Sequence, residues 1–237
     1  EVSRRFVDLF GEYERVVFLR PPLTRDGVAA VEIDYAAGMV EALSHLAAGG
    51  CRHIALALND RKCQPMLGRL DGYRRGLRLN GLAEDPGLIW VAADAGMEAL
   101  DGTQPEFIAR GFCDQVVATS RIDAVITSND EWAVALIKVL RAQNVRVPAD
   151  IAVVGYGDNP DLCWACEPEL SSINHGERAL ARQLVAVLLA AIADRAPATG
   201  PVVASYLVPR LSSPRKYQKQ PSLSKRPTST GEQNEKE

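Results

Sequence analysis

The chain has 237 residues, 47% hydrophobic and 24% charged, with a formal net charge of −3 and a pI near 5.7. That balance describes a globular protein with a real core, long enough for one ordinary domain or two small lobes. It excludes a surface built mainly to neutralise nucleic-acid phosphates, which needs clustered Lys and Arg.

In chain order, short β-branched runs alternate with helical stretches. Strands are expected at Arg15–Leu19, Val31–Ile33, His53–Leu58, Leu88–Val91, Ala124–Thr127, Ile151–Tyr156 and Val202–Val208. After the second strand, Asp34 can cap a helix with Met39, Leu43 and Leu46 on one face, stopped at Gly49-Gly50. Leu70, Tyr73 and Leu77 mark a second helix ending near Gly81, and Phe107, Ile108 and Phe112 a third. Ala133, Leu136, Ile137 and Leu140 mark a fourth, which Asn144 can close in the left-handed conformation before Pro148. A last helix, Glu177 to about Ala193, is apolar around most of its circumference and is expected to be well buried. From about Arg215 the sequence has almost no large aliphatic residues and reads as a disordered tail. Strands that alternate with helices predict parallel sheets with crossover helices, a doubly wound α/β fold.

No apolar run reaches the roughly 18 to 20 residues of a bilayer span, and EVSRRFVDLFGEYERVVFL lacks the basic-then-apolar order of a secretory signal. The expected compartment is the cytoplasm, with no membrane partner. Five scattered cysteines suit reduced thiols better than a disulfide framework. Cys163 and Cys166 form a C-x-x-C within NPDLCWACEPEL, read as a loop. A zinc site would need two further ligands, and a redox dithiol would need a helix N-terminus to lower a thiol pKa. No metal, cofactor or catalytic residue is expected: P-loop, G-x-G-x-x-G, G-x-S-x-G and H-E-x-x-H patterns are all missing from the sequence.

In open α/β sheets, ligands sit beyond the carboxyl ends of the strands. Asn59, Asp60 and Arg69 follow one expected strand, Asp94 another, Ser128-Asn129-Asp130 a third and Gly157-Asp158-Asn159 a fourth. Asn, Asp and Arg gathered at one edge can bind vicinal hydroxyls, since the acids and amides accept or donate in fork fashion and Arg supplies fixed donors. The alternative for each is local: helix capping by Asn129 and its neighbours, or a turn at GDNP.

Four segments carry a family resemblance. VEIDYAAGMVEALSHLAAGGCRHIALAL, GRLDGYRRGLRLNGL, DAVITSNDEWAVALIKVLRAQNVRVPADIAVVGYGDNP and EPELSSINHGERALARQLVAVLLAAI resemble, in order and spacing, the effector-binding core of LacI/GalR transcriptional regulators, from about Val16 to Leu211. The resemblance implies a type I periplasmic-binding-protein architecture of two parallel-sheet lobes with a cleft between them. Residues 1–50 with 172–204 would form a first, incomplete lobe, 51–171 with 205–213 the second, and 214–237 the tail. It implies effector contacts from Arg69, Asn129, Asp130 and Asp158, with His175 and Asp34 as further candidates. It also implies a small polar effector of the sugar type, a homodimer, and DNA contact only through a helix-turn-helix and hinge helix that this sequence lacks. Gly157 stands where the family commonly has a first acidic residue. The chain is then expected to be a fragment or a degenerate product of a longer regulator. The alternative of the same architecture is the solute receptor of an ABC sugar transporter.

Overall fold

A computed structural model describes residues 17–19, 29–97, 105–193 and 200–213. The expected tail, and Arg15 and Val16 of the first expected strand, lie outside them. The described elements are β1 (Val17–Leu19), β2 (Ala29–Asp34), α1 (Tyr35–Ala48), β3 (Ile54–Leu58), α2 (Gln64–Leu79), β4 (Ile89–Val91), α3 (Pro105–Phe112), β5 (Ala124–Thr127), α4 (Asp130–Ala142), β6 (Ala152–Gly157), α5 (Pro160–Ala165), β7 (Ser171–Asn174), α6 (Glu177–Ile192), β8 (Val202–Ala204) and β9 (Tyr206–Val208).

The strands form two sheets. One has three parallel strands in the order β1-β2-β8, and the other six in the order β4-β3-β5-β6-β7-β9, parallel except for the β7/β9 pair. In the larger sheet the central strands read as continuous apolar runs because both faces are covered. Ile54, Leu56 and Leu58 of β3 face α1 and α2, where Met39, Leu43, Leu46, Leu70, Tyr73 and Leu77 complete one core. Ala55, Ala57, Val125 and Val153 face the other way, into a core closed by Ile108 and Phe112 of α3 and Trp132, Leu136 and Leu140 of α4. A fully buried aliphatic side chain contributes about 1.5–3 kcal/mol, so these two cores dominate the stability of the described residues. The close approach of α1 and α2 depends on glycine: a Cβ at Gly72 would lie 2.6 Å from Ala36 Cα.

Local signals act as the chemistry of caps predicts. The Asp34 carboxylate accepts from the amides of Ala36 and Ala37 at 2.9 and 3.1 Å, and Asn129 accepts from Trp132 N–H at 2.8 Å. Asn144 has φ 61°, the left-handed cap expected of it.

Four expectations need correction. The expected strand Val202–Val208 is two strands broken at Ser205, and each half joins a different sheet. Residues 171–174, not read as a strand, are β7 of the larger sheet. Together with the packing of α1 onto that sheet, this puts the changeovers at Asp34/Tyr35, Asn174–Gly176 and Ser205 rather than at Gly50 and Ser171. The stretch NPDLCWACEPEL is not all loop, because Asn159 caps helix α5 by accepting from Asp161 N–H at 3.0 Å. Finally, α6 is not well buried: only Leu180 and Val187 are, while Val185, Leu188, Leu189 and Ile192 are exposed. The smaller sheet, with its core of Val31, Leu180, Val187 and Val203, covers one stripe of that helix and leaves the rest.

Candidate functional site

Three chain crossings join the two sheets, and they touch one another. At the first, β2 ends in Asp34 and α1 begins; at the third, Ser205 separates β8 from β9. The Asp34 carbonyl accepts from both Ser205 N–H (3.1 Å) and Ser205 Oγ–H (2.7 Å), while Ser205 Oγ accepts from Gly38 N–H at 3.0 Å. Only glycine fits at 38, where a Cβ would sit 2.3 Å from Ile173 Cγ2. The second crossing, from β7 to α6, carries His175.

Around these crossings the structure assembles a cationic and aromatic cluster. Arg69, on α2, is 6% exposed, and its guanidinium lies 3.8 Å from the centre of the Tyr156 ring and 5.6 Å from that of Tyr35. Its Nη1 donates to the Ser128 carbonyl at 2.6 Å. His175 meets the Tyr35 ring edge-on at 5.9 Å and the Tyr156 ring at 5.0 Å. The Tyr156 hydroxyl donates to the Tyr35 carbonyl at 3.3 Å, tying the end of β6 to the first crossing. Burial pushes the Tyr156 phenol up, so that it remains a neutral donor, and it pushes the Arg69 guanidinium down.

A second cluster surrounds the carboxylates. Asp130, buried at the start of α4, accepts from Ser172 Oγ–H at 2.5 Å and from Asn159 N–H at 2.8 Å. Gly155 and Gly157 of β6 leave room for it: a Cβ at Gly155 would meet Asp130 Oδ1, and one at Gly157 would stand 3.1 Å from Oδ2. Burial raises the Asp130 pKa, and the Ser172 and Asn159 hydrogen bonds oppose the rise. Asp158 has φ 56°, in the left-handed region that Asp tolerates better than most residues. Its carboxylate pairs with Arg210 Nη2 at 2.7 Å and accepts from Asn174 Nδ2–H at 2.9 Å. Arg210 in turn lies 5.0 Å from the centre of the exposed Trp164 ring.

Of the residues expected to bind an effector, the structure brings Arg69 and His175 into one cluster and Asp130 and Asp158 into the neighbouring one. The side chains of Asn129 and Asp34 are engaged as helix caps. Asn59 joins the site by accepting from Ser128 Oγ–H, whereas Asp60 holds a local turn and Asp94 pairs with Arg61 on the surface. Sequence reasoning missed Tyr35, Tyr156, Ser172, Asn174 and Arg210. Tyr156 had a signal, as the aromatic closing the VVGY strand; Arg210 had none, because it sits 52 residues from Asp158.

The C-x-x-C is chemically quiet. Cys163 is fully buried and its thiol is pushed up to about 12 by burial and the nearby Asp130, and burial also raises Cys166. Neither is held as thiolate at neutral pH. Among the described residues, no group of three His, Cys, Asp or Glu side chains could hold a metal, and no helix is long and apolar enough to cross a membrane. Two surface depressions, of about 460 and 370 Å³, lie at the C-terminal ends of α4 and α2 and involve neither cluster.

The parallel sheets joined by three adjoining crossings are those of a periplasmic-binding-protein-like α/β fold. The chain belongs to the periplasmic binding protein-like domain family, matched over residues 43–213, and within it to the LacI/GalR type. It is 30% identical over 165 residues to the HTH-type transcriptional regulator CelR of Thermobifida fusca, covering 68% of this chain and 45% of that protein. It is 34% identical over 155 residues to the HTH-type transcriptional regulator GntR of Pseudomonas aeruginosa, covering 65% and 42%. The chain therefore spans less than half the length of these relatives. Among solved structures, a CelR–cellobiose complex matches with a TM-score of 0.70 at 25% identity, over 89% of this chain and 70% of that one. A LacI-family sugar-binding regulator from Escherichia coli complexed with phosphate has the same fold, with a TM-score of 0.72 at 21% identity, over 89% and 72%.

Proposed function

We propose that this chain is the ligand-sensing core of a LacI-type transcriptional regulator. In this reading the two sheets are the cores of two lobes that meet at the three crossings, and a small polar effector of the sugar class binds beside those crossings. The observation that carries it is the placement of Arg69 and Tyr156, from the larger sheet's layers, directly against Tyr35 and His175 at two of the crossings. A ligand engaging that cluster contacts the hinge itself. Its binding energy can then shift the angle between the lobes, with coupling typically of about 1–3 kcal/mol. The likeness to a regulator solved with cellobiose supports the sugar class. Asp130, Asp158, Asn59 and Asn129, each already holding a partner within the protein, are the acceptors and donors of the kind that vicinal hydroxyls require.

The chain would act in the cytoplasm as a homodimer, and would reach DNA through a helix-turn-helix that is not among these 237 residues. The test is the DNA upstream of the codon for Glu1, together with thermal melts of the chain against mono- and disaccharides. A helix-turn-helix in frame and a sugar that raises the melting temperature are the expected results. A secretory signal in that position would replace the regulator reading with the transport-receptor one.

A further inference from the structure

At the second crossing the amide of Asn174, the last residue of β7, is used at both ends. Its Nδ2–H donates to Asp158 Oδ2 at 2.9 Å, at the end of β6. Its Oδ1 accepts from the backbone N–H of Gly176 at 2.7 Å and of Glu177 at 3.4 Å, the groups that open α6. The first amides of a helix need an acceptor from outside it. Gly176 has no side chain to offer and is confined to glycine: it stands at φ 80°, and a Cβ there would lie 2.8 Å from Val203 Cγ1.

The two ends of the amide are not interchangeable. A carboxylate accepts and cannot donate, so Asp158 admits only the Nδ2 end, which leaves Oδ1 for the helix. Turned over, the amide would set oxygen against carboxylate and N–H against N–H. Asp158 is itself held in place by Arg210 Nη2 at 2.7 Å and by its own N–H, which donates to Ser172 Oγ at 3.0 Å. The Ser172 hydroxyl donates in turn to Asp130, so both carboxylates of the cluster bear on the same turn. Beyond its first turn, α6 packs Leu180 and Val187 against Val31 and Val203 of the smaller sheet.

Taking the two-lobe reading above as its basis, we propose that Asn174 is a positioning residue that joins the carboxylate cluster to the smaller lobe. The Asp158 carboxylate fixes which way the Asn174 amide points, and the amide so fixed caps α6. A ligand that draws on Asp158 competes with Asn174 for it and loosens the first turn of α6, so the smaller lobe senses the state of a carboxylate that its helix does not touch.

The experiment is hydrogen exchange of the ligand-free 237-residue chain followed by NMR, at labelling times short enough that β3 stays protected. Asp158→Gly tolerates φ 56° and removes the acceptor. It is expected to speed exchange at Gly176 and Glu177 about fivefold, the effect of one weakened hydrogen bond, with β3 unchanged. Adding Asn174→Asp to that variant should restore slow exchange, because an acceptor-only side chain at 174 caps the helix without having to be oriented. A residue with a merely structural role at 158 would give no such rescue. Asp158→Asn covers the case in which the Gly variant does not fold; it should give a smaller rise that the same second change removes. Unaltered exchange at Gly176 and Glu177 on losing the 158 carboxylate overturns the proposal, and so does a rise that Asn174→Asp fails to reverse. Since no ligand enters the experiment, either result leaves the effector reading as it stands.

Discussion

The two sheets were made from similar local material and ended in different environments. In the six-stranded layer, α1 and α2 cover one face and α3 and α4 the other, so β3, β4 and β5 are buried along their whole length; in the three-stranded layer, α6 buries two side chains and exposes four large aliphatic ones. Helices α1 and α6 are both rich in Ala and Leu, yet the Leu43 side chain has 0% exposure and Leu189 60%. Apolar composition determines what a helix can bury, and the number of neighbours supplied by the fold determines what it does bury.

That contrast can be broken by mutation. Leu43→Ala should cost about 2–5 kcal/mol, from lost transfer energy plus a cavity, whereas Leu189→Ala should stay within about 0.5 kcal/mol. Urea midpoints at constant m-value would show it. An equal cost at the two positions would mean that the outer face of α6 is covered in solution.

The crossings offer a sharper test of the larger layer. Asp158→Asn keeps a residue tolerant of φ 56° but strips Arg210 of its buried counter-charge, at an expected cost of about 3 kcal/mol. Arg210→Met in the same background should recover part of that loss in a double-mutant cycle, and purely additive effects would show that the pair is not coupled. Gly155→Ala forces a Cβ onto Asp130 and should cost about 1–3 kcal/mol, read by thermal unfolding.

Acid titration separates two carboxylates by sign. Asp130 has its pKa raised on folding, chiefly by burial, so the folded state holds the proton more tightly than the unfolded state. Its contribution therefore falls as pH rises from the ordinary carboxylate value to the folded one, and Asp130→Asn should remove that fall. Asp150, exposed and held at about 2 by the Arg146 hydrogen bond, acts oppositely: its contribution is present above the ordinary carboxylate value and is lost as pH drops toward 2. Asp150→Asn should flatten only that acid limb. The smallest effect expected is chemical: alkylation of the native chain near pH 7 should mark the exposed Cys63 and spare Cys163, identified by peptide mapping.

Much of the fold was legible because its signals are local. The cap at Asp34, the left-handed Asn144 and the apolar runs of β3, β5 and β6 each act within one or two turns of chain, where spacing and dihedral preference decide. The site was legible in part. Arg69, Asp130, Asp158 and His175 stand at strand ends or within family motifs, and the structure gathers all four beside the crossings. Tyr35 and Arg210 went unread because their partners are distant in sequence, Tyr156 in one case and Asp158 in the other. The sheet changeover at Ser205 was hidden for a related reason. A strand that switches sheets keeps its β pattern on both sides of the break, and only the pairing partners differ.

The sequence by itself determined most of the helices and strands, that the sheets are mainly parallel, and which family the chain resembles, since periodicity, caps and motif order are written locally. Only the tertiary structure decided which helix is covered, where the chain passes between sheets, and that Arg69 is buried against the rings of Tyr156 and Tyr35. Each of those depends on neighbours that sequence distance does not reveal.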